Sequence, residues 1–106
     1  MTIQEALDKV VKNWQTLEKS EKGGVEAVWI YEDDTADAYE VDEEWIGVTA
    51  RGNVAWAYAS GCSCWDGDYD AHDKSLDTIK SFVFTHDNTG KEWEAAIIKF
   101  AEGLGN

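Results

Sequence analysis

The sequence contains no proline, only two cysteines, and far fewer basic than acidic residues. Without proline there is no stiff linker to separate two domains. At 106 residues the chain has the length of one domain, 1–106, and can bury a core without disulfide or metal staples. No segment approaches the roughly 18 consecutive apolar residues of a membrane-spanning helix, so no membrane partner is expected.

The two cysteines, Cys62 and Cys64, are separated by a single residue. A disulfide between them would close a very small, strained ring, so free thiols are expected. Met1 leads directly into a polar helix without the apolar region of a secretion signal. These features predict a cytoplasmic protein in a reducing compartment.

Twenty-two acidic residues outweigh nine basic ones and give a formal net charge of −13. Such a field repels the phosphates of nucleic acids and anionic membranes, which argues against direct nucleic-acid binding. The same field attracts basic protein surfaces, although acidity can also serve solubility alone. The densest stretch is 26–44, which holds nine carboxylates and no lysine or arginine.

Two segments carry the three-and-four apolar spacing of an amphipathic helix, 2–21 and 89–104. Gly23 and Gly24 supply the left-handed residue expected to end the first helix. Capping boxes are predicted at both helix starts and pair Thr2 with Glu5 and Thr89 with Glu92.

Aromatic and β-branched residues predict strands between these helices. The predicted strands are 25–32, 45–50 and 54–59, with a hairpin turn at 51–53 and a further strand at 82–85 after one or two helical turns near 76–79. Residues 33–44 form a polar connection, with a short strand at 38–41 as an alternative. The sequence therefore predicts an α+β fold. Its three- to four-stranded antiparallel or mixed sheet should carry the N-terminal and C-terminal helices on one face.

The predicted hairpin has two unlike faces. Its aromatic face holds Trp56 and Tyr58 with Ile46 and Val48, and its alanine face holds Ala55, Ala57 and Ala59 with Trp45, Gly47 and Thr49. Because small side chains let another element approach closely, the helices are expected on the alanine face. The aromatic face would then remain open for a partner or for a homodimer through the sheet.

Residues 62–73 are rich in potential metal ligands. A metal-binding or redox-sensing module would use Cys62, Cys64, Asp66, Asp68, Asp70 and His72. Asp66, Asp68 and Asp70 match the first ligand positions of an EF-hand loop, but Ala71 and Asp77 replace its glycine and its final glutamate. Zinc would prefer the thiols and the imidazole, yet a one-residue gap between the cysteines is unusual for it. No cofactor is therefore expected, and the metal or redox module stays the alternative.

The string at Gly61, Cys62, Ser63, Cys64 and Asp66 resembles small uncharacterised tailed-phage proteins that carry Gly-Ser-Cys-Ser-x-Cys-Asp after a hydrophobic strand. The order of Ile79, Phe82 and a final amphipathic helix is similar too, so the resemblance covers residues 53–104. This chain departs from the pattern by having one residue between its cysteines rather than two. The resemblance implies a phage origin and a role in the bacterial host cytoplasm, with no catalytic residues to transfer.

No nucleophile motif, phosphate loop or zinc-protease motif occurs, so the chain is not expected to be an enzyme. The leading hypothesis is a non-catalytic interaction protein that occupies a basic surface of a host protein. In its sharpest form the protein mimics a nucleic acid and inhibits a nucleic-acid-binding defence factor. The predicted partner-binding residues are Glu32, Asp33, Asp34, Asp37, Glu40, Asp42, Glu43, Glu44, Trp56, Tyr58, Trp65, Asp66, Asp68 and Asp70. Aromatic residues on strands are also frequent in protein cores, so Trp56 and Tyr58 have that second interpretation.

Overall fold

A computed structural model describes residues 1–62 and 67–105 and confirms the α+β class. The five strands pair antiparallel in the order β1-β2-β3-β4-β5. The elements are α1 (Ile3–Lys12), a short 3-10 helix (Trp14–Thr16), β1 (Ser20–Lys22), β2 (Val25–Asp34), β3 (Glu40–Val48), β4 (Val54–Cys62), β5 (Asp70–Lys74), α2 (Leu76–Lys80) and α3 (Asp87–Glu102). Within the described ranges, no helix combines the length and apolar character needed to cross a membrane.

The sheet has five strands rather than three or four because both of its edges were missed. β1 and β5 are three and five residues long, mostly polar, and contain no fully buried residue. Such strands lack the apolar alternation that reveals a strand in a sequence. The strand expected at 82–85 is irregular chain, in which Phe82 and Phe84 pack edge to face at 5.2 Å between ring centroids.

The helix starts and ends agree only in part with the sequence prediction. The capping box of α1 is present, with Glu5 N–H donating to Thr2 Oγ1 at 3.1 Å. However, α1 ends at Lys12, and Gly23 and Gly24 form the β1–β2 turn with positive φ angles of 57° and 83°. α3 begins two residues earlier than predicted, so the expected capping box at Thr89 is wrong.

The central hairpin of β3 and β4 pairs nine residues of each strand. Ile46 lies opposite Trp56 and Val48 lies opposite Val54. The connection is wider than a two-residue turn, since Thr49 N–H donates to the Asn53 carbonyl at 3.0 Å. The two faces of the hairpin are therefore the ones that the sequence predicts.

The helices cover the opposite face from the one expected. One hydrophobic core joins α1 and α3 to the aromatic face of the sheet, and Trp56 within it is only 5% exposed. Burying the aromatic face removes far more apolar area from water than burying three alanines would. The prediction that the helices pack on the alanine face is therefore wrong, and the aromatic ladder is core.

The alanine face is covered by the sheet itself, which curls toward that side. A Cβ atom on Gly23 of the β1–β2 turn would lie 2.5 Å from the Tyr69 carbonyl oxygen and 2.9 Å from Ala71 Cβ. A Cβ on Gly47 would lie 2.9 Å from the Trp29 ring. The small residues do mark a close approach, but the approaching element is another part of the sheet rather than a helix.

A bulge in β2 decides which acidic side chains share a face. The register with β3 shifts between Trp29, which lies opposite Gly47, and Tyr31, which lies opposite Ile46. The extra residue reverses the alternation of every side chain after it. Beyond the bulge, odd-numbered residues of β2 face the helices and even-numbered ones face the curled side.

Candidate functional site

The carboxylates of residues 32–44 collect at the outer end of β2 and β3. Asp33 lies opposite Glu44, and Asp34 lies opposite Glu43. Because side chains alternate along each strand, the group divides between the two faces of the sheet. Two sets result: the core-face carboxylates are Asp33, Asp42 and Glu44, and the alanine-face carboxylates are Glu32, Asp34 and Glu43.

Glu44 is fully buried and accepts three hydrogen bonds. Its Oε2 accepts the Trp56 indole N–H at 2.7 Å and the Thr85 backbone N–H at 2.9 Å. Its Oε1 accepts the His86 backbone N–H at 2.9 Å. A buried charged group is tolerated only with such partners, so Glu44 ties the start of α3 to the sheet.

His86 lies between the two other core-face carboxylates. Its Nδ1 is 2.7 Å from Asp33 Oδ2, and its Nε2 is 2.7 Å from Asp42 Oδ1. Burial alone lowers the pKa of His86, but the hydrogen bonds to Asp42 and Asp33 and the nearby negative charges raise it above its ordinary value. The His86 hydrogen bond in turn lowers the pKa of Asp42, which also accepts from Thr35 and Tyr58.

This arrangement suits structural attachment better than proton transfer. Both nitrogens of His86 are engaged by carboxylates, so neither is available to take a proton from a substrate in this geometry. The cluster joins β2, β3 and β4 to the N-terminus of α3 through charge-assisted hydrogen bonds. Sequence analysis missed His86 because it lies 44 and 53 residues from its two partners.

The alanine-face carboxylates form a compact, partly exposed group. One oxygen from each of Glu32, Asp34 and Glu43 lies within 4.8 Å of the others. Burial, followed by the charges of Glu43 and Asp34, raises the pKa of Glu32. Among the residues that the structure describes, no lysine or arginine lies within 4.0 Å of any carboxylate oxygen. Within the described chain this group therefore carries its negative charge without a lysine or arginine ion pair, and the nearby charge of Lys22 opposes the rise in the pKa of Glu32 only in part.

Three aromatic rings flank this group on the same side of the sheet. The ammonium group of Lys22 lies 4.0 Å from the centroid of the Trp45 ring, 4.9 Å from that of Tyr69 and 5.7 Å from that of Trp29. Burial, together with its hydrogen bond to Glu43, raises the pKa of the Tyr69 hydroxyl. Sequence analysis did not predict Lys22, Trp29 or Tyr69 as site residues, because only the curl of the sheet brings them together.

The remaining predicted binding residues differ in how accessible their side chains are to a partner. Asp37, Glu40, Asp68 and Asp70 are exposed, and Tyr58 is half-buried. Glu44 and Trp56 are buried, which removes them from the surface that a partner can reach. Trp65 and Asp66 lie outside the described residues.

Only part of the predicted metal-binding segment, residues 62 and 67–73, belongs to the described structure. Cys62 is disulfide-bonded, so the expectation of a free thiol there is wrong; Cys64 and Asp66 lie outside the described residues. Asp70 and His72 belong to strand β5, where Asp70 Oδ1 and His72 Nε2 lie 3.2 Å apart at the surface.

Together the fold and the site define an acidic α+β protein with a curled five-stranded sheet and a charged outer end. No family model, curated protein or solved structure matches the chain.

Proposed function

We propose that this protein is a non-catalytic interaction protein that binds a basic protein surface through the outer end of β2 and β3. The observation that carries this proposal is the grouping of the three alanine-face carboxylates without a lysine or arginine ion pair in the described chain. Asp37 and Glu40, at the connection between β2 and β3, are also exposed.

The energetics of this group favour a basic partner. Like charges on neighbouring strands repel and destabilise the folded state. Burial is the main cause of the raised pKa of Glu32, and the charges of Glu43 and Asp34 add to it. A cationic side chain placed against the group would relieve the repulsion and gain hydrogen bonds to charged oxygens. The free energy released would appear as affinity for the partner.

The proposed surface contains fewer residues than the sequence predicts. Of the core-face carboxylates, Glu44 is inaccessible, while Asp33 and Asp42 are committed to His86. Affinity should therefore depend on the alanine-face carboxylates and the loop rather than on total charge. The resemblance to tailed-phage proteins makes a bacterial nucleic-acid-binding protein, such as a defence factor, the partner class to test first.

The test is a pull-down from bacterial lysate with two variants of equal charge. Glu32→Gln with Asp34→Asn removes two charges from the proposed surface, and Asp73→Asn with Glu94→Gln removes two exposed charges elsewhere. Glu43 is left intact because it accepts hydrogen bonds from Trp45 and Tyr69.

We expect the first variant to lose a basic partner that the second variant retains. Binding should also weaken when salt rises from about 0.1 M to about 1 M, since the Debye length falls from about 10 Å to about 3 Å. Equal retention by both variants, or a partner without a basic surface, would refute the proposal.

A further inference from the structure

The ammonium group of Lys22 is held by ring faces rather than by a carboxylate. Its Nζ lies between 4.0 and 5.7 Å from the centroids of Trp45, Tyr69 and Trp29. No described carboxylate oxygen lies within 4.0 Å of it. Aromatic faces attract cations at distances up to about 6 Å, and the attraction grows when the cation is partly desolvated. Trp29, Trp45 and Tyr69, called here the aromatic cage, therefore form a cation-binding site. In the free protein this site is occupied by the ammonium group of Lys22.

The cage does not depend on Lys22 for its shape. The Trp29 indole N–H donates to the Ser20 carbonyl at 3.0 Å. The Trp45 indole N–H donates to Glu43 Oε1 at 2.9 Å, and the Tyr69 hydroxyl donates to the same oxygen. Since each ring is fixed by its own hydrogen bond, the three faces should stay in place when the ammonium leaves. Such preorganisation lowers the entropy lost when a second cation binds.

A cavity gives access to the cage from solvent. A space of about 230 Å³ adjoins it, lined by Glu18, Lys19, Ser20, Lys22, Trp29 and Trp45. Lys22 is half-buried at the end of β1, and the rotatable bonds of its four-carbon stem give its ammonium group a route out of the cage. The alanine-face carboxylates lie on the same side of the sheet, and their charge raises the local concentration of cations.

We propose that the aromatic cage binds a lysine side chain of a basic partner protein, and that Lys22 occupies the cage in the free protein as a competing internal ligand. This inference rests on the proposed function, because the basic partner supplies the lysine. It adds a specific contact to a surface otherwise recognised by charge. The competition also makes affinity depend on the ease with which Lys22 is displaced.

The cage can be tested without a partner protein, using n-butylammonium as a mimic of the lysine side chain. Lys22→Ala removes the internal occupant, and the indole N–H signals of Trp29 and Trp45 in NMR spectra report on binding. We expect saturable shifts in Lys22→Ala with an affinity at least tenfold above that of the unsubstituted protein. Neutral 1-butanol, which is similar in size, should produce no saturable shift.

A second variant serves as a control in case Lys22→Ala disturbs the fold. Lys22→Gln keeps part of the aliphatic stem and removes the charge, so it should also bind n-butylammonium more tightly than the unsubstituted protein. The inference would be overturned if n-butylammonium bound equally well with and without Lys22. It would also be overturned if 1-butanol bound equally well, or if neither folded variant showed a saturable shift. Because no partner takes part, this failure is distinct from the loss of binding tested with Glu32→Gln and Asp34→Asn.

Discussion

Replacing Glu44 with leucine should strongly destabilise the protein, although Glu44 is one of a dense series of acidic residues. The substitution keeps the approximate volume but leaves three donors without an acceptor. The hydrogen bond from the Thr85 N–H is part-buried, whereas those from the Trp56 indole and the His86 N–H are buried. Each buried unsatisfied donor costs about 1–3 kcal/mol, and burial of the leucine side chain offsets about 1 kcal/mol.

The expected net loss is therefore about 3 kcal/mol in the free energy of unfolding, equivalent to a fall of about 12–24 °C in melting temperature. Urea unfolding followed by tryptophan fluorescence measures it. Glu94→Leu, at an exposed position of α3, is the control and should change stability by less than about 0.5 kcal/mol. A loss below about 1 kcal/mol for Glu44→Leu would show that Glu44 does not hold α3 to the sheet.

Three further predictions concern the core, the histidine and the cysteine-rich segment. The free energy of unfolding should fall as pH rises above 6.5. The pKa of His86 is raised in the folded protein, so its protonated ring stabilises the fold, and this stabilisation is lost as the ring loses its proton. Measurement of the free energy of unfolding across this pH range should show the slope flattened by His86→Gln. In urea unfolding, Trp56→Ser should cost about 3–5 kcal/mol as a core truncation. Ala57→Leu should cost about 1–3 kcal/mol by overpacking the curled side, and tolerance of either change would contradict the assignment of the faces. A chelator should leave the melting temperature unchanged, whereas a fall of several degrees would restore the metal-binding alternative.

Local patterns alone were enough to predict several parts of this protein. The capping box of α1, the division of the β3–β4 hairpin into two faces and the apolar stripe of α3 each depend on residues close together in the sequence. Hydrogen-bond geometry within a turn and the alternation of side chains along a strand act over a few residues. A single sequence therefore contains the information that decides them.

Tertiary structure decided which face of the sheet became core and which carboxylates stayed at the surface. The alanine face correctly predicted that another element packs closely against β4. The alternation of side chains along a strand does not reveal whether that element is a helix or another part of the sheet. The β2 bulge at Ile30 then places Glu32 and Asp34 on one face and Asp33 on the other. His86 and Lys22 acquire their partners only when distant elements pack, since cooperative burial, rather than any local preference, brings these charges together.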